Sequence, residues 1–306
     1  MENLNGMPSI KYLGEGILNS FEKQIALARK LEDVYKNRPD PKNFIGAMAG
    51  TKHENSYTAE AIQKEIEYVE KTKAKIEESN KKRGQEVLSL LESGFSLGEM
   101  MQAMIIDRIN KGMFPGFKAV MTSERDDLHG MDAILKAKGS GYLGASFDFT
   151  ISGNSTEILD KLEKNWSYGI EKHEIPTVKF FEDPDTHKKG SLLVPKFIIG
   201  GSKKEIEFFT YKYLNGEADD LDSHPFVYLM IKQIDMQLDA AIKFFVGNKD
   251  DSSFDFIHKE YLKIKSFINR LKEDVDYKTQ VNSQEFLKYK SESIAYKTMK
   301  KFFLDK

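Results

Sequence analysis

Cysteine is absent from the 306 residues. Its absence excludes disulfides, iron–sulfur clusters, thiolate-bound zinc and a thiol nucleophile. Long apolar runs are missing too, and nothing approaches the roughly 20 residues that a bilayer-spanning helix needs. The opening stretch, MENLNGMPSIKYLGEG, has no basic segment followed by an apolar one, so no secretory leader is expected. Positive charge is not in excess either. Forty-six Lys and Arg stand against 48 Asp and Glu, a net charge of −2. That excludes a globally basic nucleic-acid binder but leaves room for a local basic groove. No internal repeat or low-complexity tract is present, which removes solenoids and propellers. The six histidines lie far apart, with no HExxH, and the chain has no GxSxG elbow, GxGxxG turn or phosphate-loop spacing. Gly200-Gly201-Ser202-Lys203-Lys204 looks like a phosphate loop but reads as a turn, and Glu182-Asp183-Pro184-Asp185 as a polar loop rather than a calcium site. Hydrophobic residues make up 40% and charged residues 31%, the balance of a soluble folded chain with ample core. The cytoplasm is its expected location.

What is present changes character along the chain. Residues 1–96 read as a helical N-terminal region, 97–212 as an α/β core and 213–306 as a C-terminal helical region. In the first, Phe21–Tyr35 has helical apolar spacing, and Gln85–Ser93 reads as a further helix. A charged arm over about 59–82 carries only a thin apolar stripe of Ile62, Ile66, Val69 and Ile76, which predicts a projecting helix suited to self-association. The second region opens on a helix, Leu97–Asn110. Short β-branched and aromatic runs follow: FKAVMTS, GMDAILKA, YLGASFDFTIS, PTVKFF, LLVPKFIIG and EIEFFTY, each expected as a strand. One amphipathic helix, Ser155–Tyr168, interrupts them. In the third region His224–Phe245 holds the helical period with Pro225 in its first turn, and two more helices are expected over Phe254–Lys272 and Ser283–Phe303.

The chemistry-bearing residues lie in the α/β part. Asp132 ends the polar loop SERDDLHGMD and enters an apolar strand. Asp148 sits inside another apolar run, where strand alternation puts Ser146, Asp148 and Thr150 on one face and Phe147 and Phe149 on the other. A carboxylate inside a strand is costly to bury without a cationic partner. Two carboxylates from adjacent strands can hold a hard cation and leave positions for water and phosphate. A structural ion pair or a solvent-facing edge strand would explain the same pattern. His129 lies near both acids.

An acid-bearing helix, a hairpin with one Asp, a strand with a second acid and then a helix together resemble the PD-(D/E)XK nuclease-like superfamily, over residues 97–200. The run from Glu99 through HPFVYLMIKQI also resembles a group of uncharacterised bacterial proteins. The superfamily resemblance implies a restriction-endonuclease-like mixed sheet with helical flanks. It implies Asp132 and Asp148 as metal-binding and catalytic acids, Glu99 as the helical acid, and Mg²⁺ or Mn²⁺ as cofactor. The chain departs from the motif at Thr150, where the pattern has Lys. The lysine that orients water and offsets phosphate charge would then come from a neighbouring element: Lys161, Lys164 or Lys179, with Lys164 and Lys179 the leading choices. The activity implied is metal-dependent phosphodiester hydrolysis of nucleic acid, with DNA the favoured partner. The alternative is a catalytically inactive form of the same fold that binds nucleic acid or protein, of phage or mobile-element origin.

Overall fold

The structure, a computed structural model, describes residues 21–47, 57–82, 97–137, 144–151, 154–172, 174–183, 185–248, 254–304 and 306. The opening stretch of the chain and the expected helix Gln85–Ser93 lie outside these residues. The N-terminal part comprises α1 (Phe21–Lys30), α2 (Glu32–Lys36), a 3₁₀ turn at Pro41–Phe44 and α3 (Ala59–Lys82). Next come α4 (Leu97–Arg108), β1 (Phe117–Met121), α5 (Glu124–Leu128), β2 (Ala133–Ala137), β3 (Gly144–Ile151) and α6 (Ser155–Lys164). A hairpin of β4 (Thr177–Glu182) and β5 (Lys189–Leu193) precedes β6 (Lys196–Gly201) and α7 (Lys203–Leu214). The chain closes with α8 (Pro225–Gly247), α9 (Phe254–Glu273), α10 (Val275–Val281), α11 (Gln284–Glu292) and α12 (Ile294–Leu304).

The molecule is mixed α/β: a small mixed sheet with helical flanks. Strand order is β1-β2-β3-β6, antiparallel except for the parallel pair β3 and β6. The strand that follows α6 in the chain, β4, does not join this sheet. It pairs with β5 in a separate hairpin, and β6 takes the place beside β3. Asp148 is therefore on an interior strand, not an edge.

Alternation sorts the two faces of the sheet. Ala119, Met121, Leu135, Phe147, Phe149, Phe197 and Ile199 turn toward the main core, which also takes residues of α4, α8 and α9. That core extends from Leu27 beside the N-terminal helices to Phe286 in α11, so all three regions of the chain contribute to it. On the opposite face Ile158 and Leu162 of α6 pack with Ile198 and with Ala295 and Met299 of α12. A Cβ at Gly200 would lie 2.4 Å from that of Ala295, so glycine is what lets α12 lie directly on β6.

The outer edge of β6 is closed by side chains. Gln237 of α8 accepts from the Ile198 N–H (3.0 Å) and donates to the Ile198 carbonyl (2.8 Å). Gln233, one turn earlier, does the same at Gly200 with 2.8 and 2.9 Å. Two buried amides thus stand in for a fifth strand, answering the unpaired groups of a sheet edge.

One expected strand is a helix. EIEFFTY lies in α7, where Ser202 and Glu205 form a reciprocal cap at the start. Ile206, Phe209, Thr210 and Tyr213 are buried at i, i+3, i+4 and i+7, a helical stripe. Aromatic content pointed to a strand; the period and the cap decide against it. The acidic loop ahead of Asp132 also holds a turn of helix, α5, capped by the Ser123 side chain. The single C-terminal helix expected over Ser283–Phe303 is two, α11 and α12, broken at Ser293.

The charged arm, α3, docks along one stripe. Ile62 and Val69 are buried, while Tyr68 and Ile76 are exposed. Glu65 pairs with Arg125 (3.0 Å) and with Lys179 (2.6 Å), and Lys73 pairs with Glu124 (2.8 Å). Its first half therefore lies on α5 and β4 rather than standing clear of them, and most of its remaining surface faces solvent.

Candidate functional site

A cavity of about 850 Å³ opens between α4, the α5–β2 connection, the middle of β3 and the C-terminal end of α6. Glu99, Asp132, Asp148, Lys161, Lys164 and Lys196 all line it. Local structure fixes each acid. The Asp132 N–H donates to the Phe147 carbonyl (2.7 Å), and its Oδ2 accepts from the Phe149 N–H (2.6 Å). Its own carbonyl accepts from Gln102 and from the Thr122 amide (3.2 Å). Asp132 is thus tied to β3, α4 and the end of β1 at once.

Asp148 is buried and doubly paired. Oδ1 meets the Lys161 ammonium at 2.5 Å, and Oδ2 meets that of Lys196 at 3.0 Å. Lys196 belongs to β6, on the same sheet face as Asp148. Lys161 comes down from α6, the crossover between β3 and the strands that follow. The connection past α5 crosses this pair so closely that a Cβ at Gly130 would lie 2.4 Å from Asp148 Oδ2. Gly130 also has φ +70°, so both its conformation and its surroundings require glycine.

A third carboxylate, Asp127 of α5, joins the group. It lines the same cavity as Asp132. Burial, first, and then the charges of Asp148 and Asp127 hold the Asp132 carboxyl well above the ordinary carboxylate range. Burial likewise raises Asp127, although Arg38 opposes the shift. Arg38 reaches in from the segment after α2. Its guanidinium contacts Glu99 (3.2 Å) and Asp127, and its Nε donates to the Thr122 carbonyl (3.0 Å). Burial works against the charge on Lys161, but Asp148 outweighs it, and the ammonium's pKa is raised.

The structure brings Glu99, Asp132, Asp148 and Lys164 to one cavity, with Lys161 on Asp148. It does not bring Lys179 there. That ammonium turns to Glu65, while the Lys179 and Phe180 amides donate to Asp126 at 2.9 and 3.0 Å, across the irregularity in the β4–β5 ladder. Asp126 is thus a structural clamp, although it neighbours Asp127 in the chain. Thr150, at the motif's lysine position, is buried, and its hydroxyl finds no partner. His129 lines the cavity with its ring stacked on Tyr68 at 5.4 Å; burial, and then Arg125, lower its pKa. The acidic turn after β4 is ion-paired: Asp183 meets Lys136 at 2.7 Å, and Asp185 meets Lys118 and Lys136.

Sequence reasoning missed Asp127, Lys196, Arg38 and Gln102. The Ser123-x-x-Asp126 spacing signals a helix start and would have placed Asp127 on a turn facing Asp132. Lys196 begins an apolar strand, as Asp132 does. Arg38 carries no local signal, since its partners lie 61 and 89 positions away.

Among the described residues, no group of three or more His, Asp or Glu is arranged to hold a metal ion. The available donors are two carboxylates, Asp132 and Asp148, which repel one another across a cavity that admits solvent. Hard oxygen donors are the ligands that Mg²⁺ and Mn²⁺ take. Both Asp148 oxygens are taken by Lys161 and Lys196 in this structure. No family model, no curated protein and no solved structure matches the chain. No helix among the described residues is long and apolar enough to cross a membrane.

Proposed function

We propose that this protein hydrolyses phosphodiester bonds in nucleic acid, DNA being the favoured substrate, with Mg²⁺ or Mn²⁺ held by Asp132 and Asp148. The observation that carries this reading is convergence: two acids from adjacent strands and the Lys161 ammonium from the following helix meet in one cavity. The sheet β1-β2-β3-β6, with α4 ahead of it, α6 after β3 and β6 parallel to β3, supports a restriction-endonuclease-like core. The lysine absent at position 150 is supplied by α6, and Lys161 is better placed for it than Lys164 or Lys179. A cytoplasmic location fits a protein of this activity.

A bound divalent cation would polarise the scissile phosphate and lower the pKa of its own water. The chain's residues do the rest. Lys161, kept protonated by Asp148, orients the attacking water and offsets charge that develops on the phosphate. Lys164 and Lys196 add positive charge along the same wall. Arg38 holds Glu99 and Asp127 in place. A carboxyl serves a cation in its ionised form, so cation affinity and hydrolysis should both rise with pH through the raised pKa of Asp132.

The test compares lysines. Lys161→Ala should lower single-turnover hydrolysis by about 10²-fold or more, the usual cost of losing one charge-stabilising group. Lys179→Ala, outside the cavity, should stay within about threefold of wild type once its stability is matched by working at lower temperature. Equal losses in the two variants would contradict the assignment.

One observation favours a second reading, an inactive fold that binds a partner. Both Asp148 oxygens are already neutralised by lysine, as in a purely structural ion-pair cluster. The exposed face of α3 would then be the surface for a partner or a second copy.

A further inference from the structure

Beyond Lys164 the chain continues helically for seven more residues, Asn165–Glu171, as a π-helical turn. Such turns recur at functional sites because they break the regular register of the helix. This one is fastened on several sides. Trp166 is buried against Phe244, Phe302 and Phe303, and its indole N–H donates to Glu171 (2.8 Å). Asn165 donates to the Lys196 carbonyl (2.9 Å), and Ile170 is buried. Between these anchors Tyr168 is left 56% exposed, yet it lines the same cavity as the acids. The Lys172 ammonium lies over its ring at 4.1 Å from the centroid.

Lys161, Lys164 and Tyr168 all line the cavity, at i, i+3 and i+7. Tyr168 stands at most about 10 Å along the helix from Lys161, because the π turn that carries it advances less per residue than the α-helical ~1.5 Å. Outward from Asp148 the wall therefore offers two ammonium groups and then a rigidly mounted aromatic ring. That succession matches a sugar-phosphate backbone followed by a base. About 10 Å is three stacked nucleotide steps of about 3.4 Å, and fewer in an extended strand.

We infer that Tyr168 is a base-stacking platform and that the substrate is single-stranded nucleic acid, an inference that rests on the hydrolytic reading of the cavity. A base offers its face to a protein ring only when it is released from its own stack. The cavity's 850 Å³ also falls in the range of about 300–1,000 Å³ that encloses small ligands. It suits a few nucleotide units rather than a duplex. Lys172 on one side of the ring adds cation–π attraction and a further phosphate contact. No local pattern marks this role, because Tyr168 sits at the end of an amphipathic stretch whose other aromatic, Trp166, is core.

The experiment is fluorescence anisotropy in EDTA, so that binding is read without turnover. The probes are a fluorescein-labelled 10-nucleotide strand, its duplex, and a set of the same strand with one abasic position each. Wild type should prefer the single strand. Tyr168→Ala should lose about tenfold or more of single-strand affinity with little change on duplex, and Tyr168→Trp should retain it. At least one abasic position should weaken wild type but not Tyr168→Ala. Equal binding of strand and duplex, or an unchanged Tyr168→Ala, would overturn the inference. Duplex cleavage in Mg²⁺ with a neutral Tyr168→Ala would discard stacking and keep hydrolysis. Ring-dependent binding with no cleavage in any metal would keep stacking and discard hydrolysis.

Discussion

Burial, and then the charges of Asp148 and Asp127, raise the pKa of Asp132, and this has a measurable consequence. A carboxyl whose pKa is raised on folding binds its proton more tightly folded than unfolded. Folding stability in the absence of a cation therefore falls as pH climbs from the ordinary Asp range, about 3.9, toward the raised value. Asp132→Asn removes the titrating carboxyl and keeps an oxygen able to accept from the Phe149 N–H. In EDTA near neutral pH the variant should melt above wild type and lose this part of the pH dependence. Added Mg²⁺ should stabilise wild type by mass action and leave the variant unmoved. Thermal melts across pH with and without Mg²⁺ decide it: a variant that melts lower throughout would mean that Asp132 is ionised and structurally required. At this scale the sequence was informative about Asp132 and Asp148, because an acid in an apolar run is conspicuous. It was silent about Arg38, whose role depends on long-range pairing that no local pattern records.

Elements owe their places here to side chains as much as to backbone ladders. The edge of β6 is completed by Gln233 and Gln237 of α8, both buried in a helix otherwise rich in apolar residues. Gln237→Leu would keep the volume and add apolar character, yet leave the Ile198 N–H and carbonyl unpaired. Each buried unsatisfied group costs about 1–3 kcal/mol, so the variant should lose about 2–5 kcal/mol in urea unfolding. No loss, or a gain, would show that the edge is satisfied in another way. Helix and strand periods placed most of these elements, including α3, α8 and α9 to within a residue or two. α7 was misread because its phenylalanines and tyrosines carry strand propensity, whereas its cap and burial stripe are helical. The separate β4–β5 hairpin was not legible either. Which strand lies beside β3 depends on packing between Met131, Ile134, Val178, Phe181 and Val194, which are spread over more than sixty positions.

Across the whole molecule, the N-terminal region contributes Arg38 to the acidic cluster and α3 to the support of α5, while the C-terminal region buttresses β6 through α8 and α12. The sheet and α6 supply Asp132, Asp148, Lys161 and Lys196, and the helices on either side hold them against one another. A net charge of −2 gives no broad attraction to a polyanion, so the proposed substrate would have to be captured locally by the lysines of the cavity wall. The measurement that tests this account most directly compares cleavage by wild type and Asp148→Asn. The substrates are labelled single- and double-stranded DNA and RNA, in Mg²⁺, in Mn²⁺ and in EDTA. The account predicts cleavage by wild type only with a divalent metal, and a fall of about 10²-fold or more in Asp148→Asn. Binding of the uncut strand should persist or tighten in the variant, because one fewer negative charge faces the phosphates. Absence of cleavage by wild type in every metal, or an Asp148→Asn protein that cuts as fast, would contradict it.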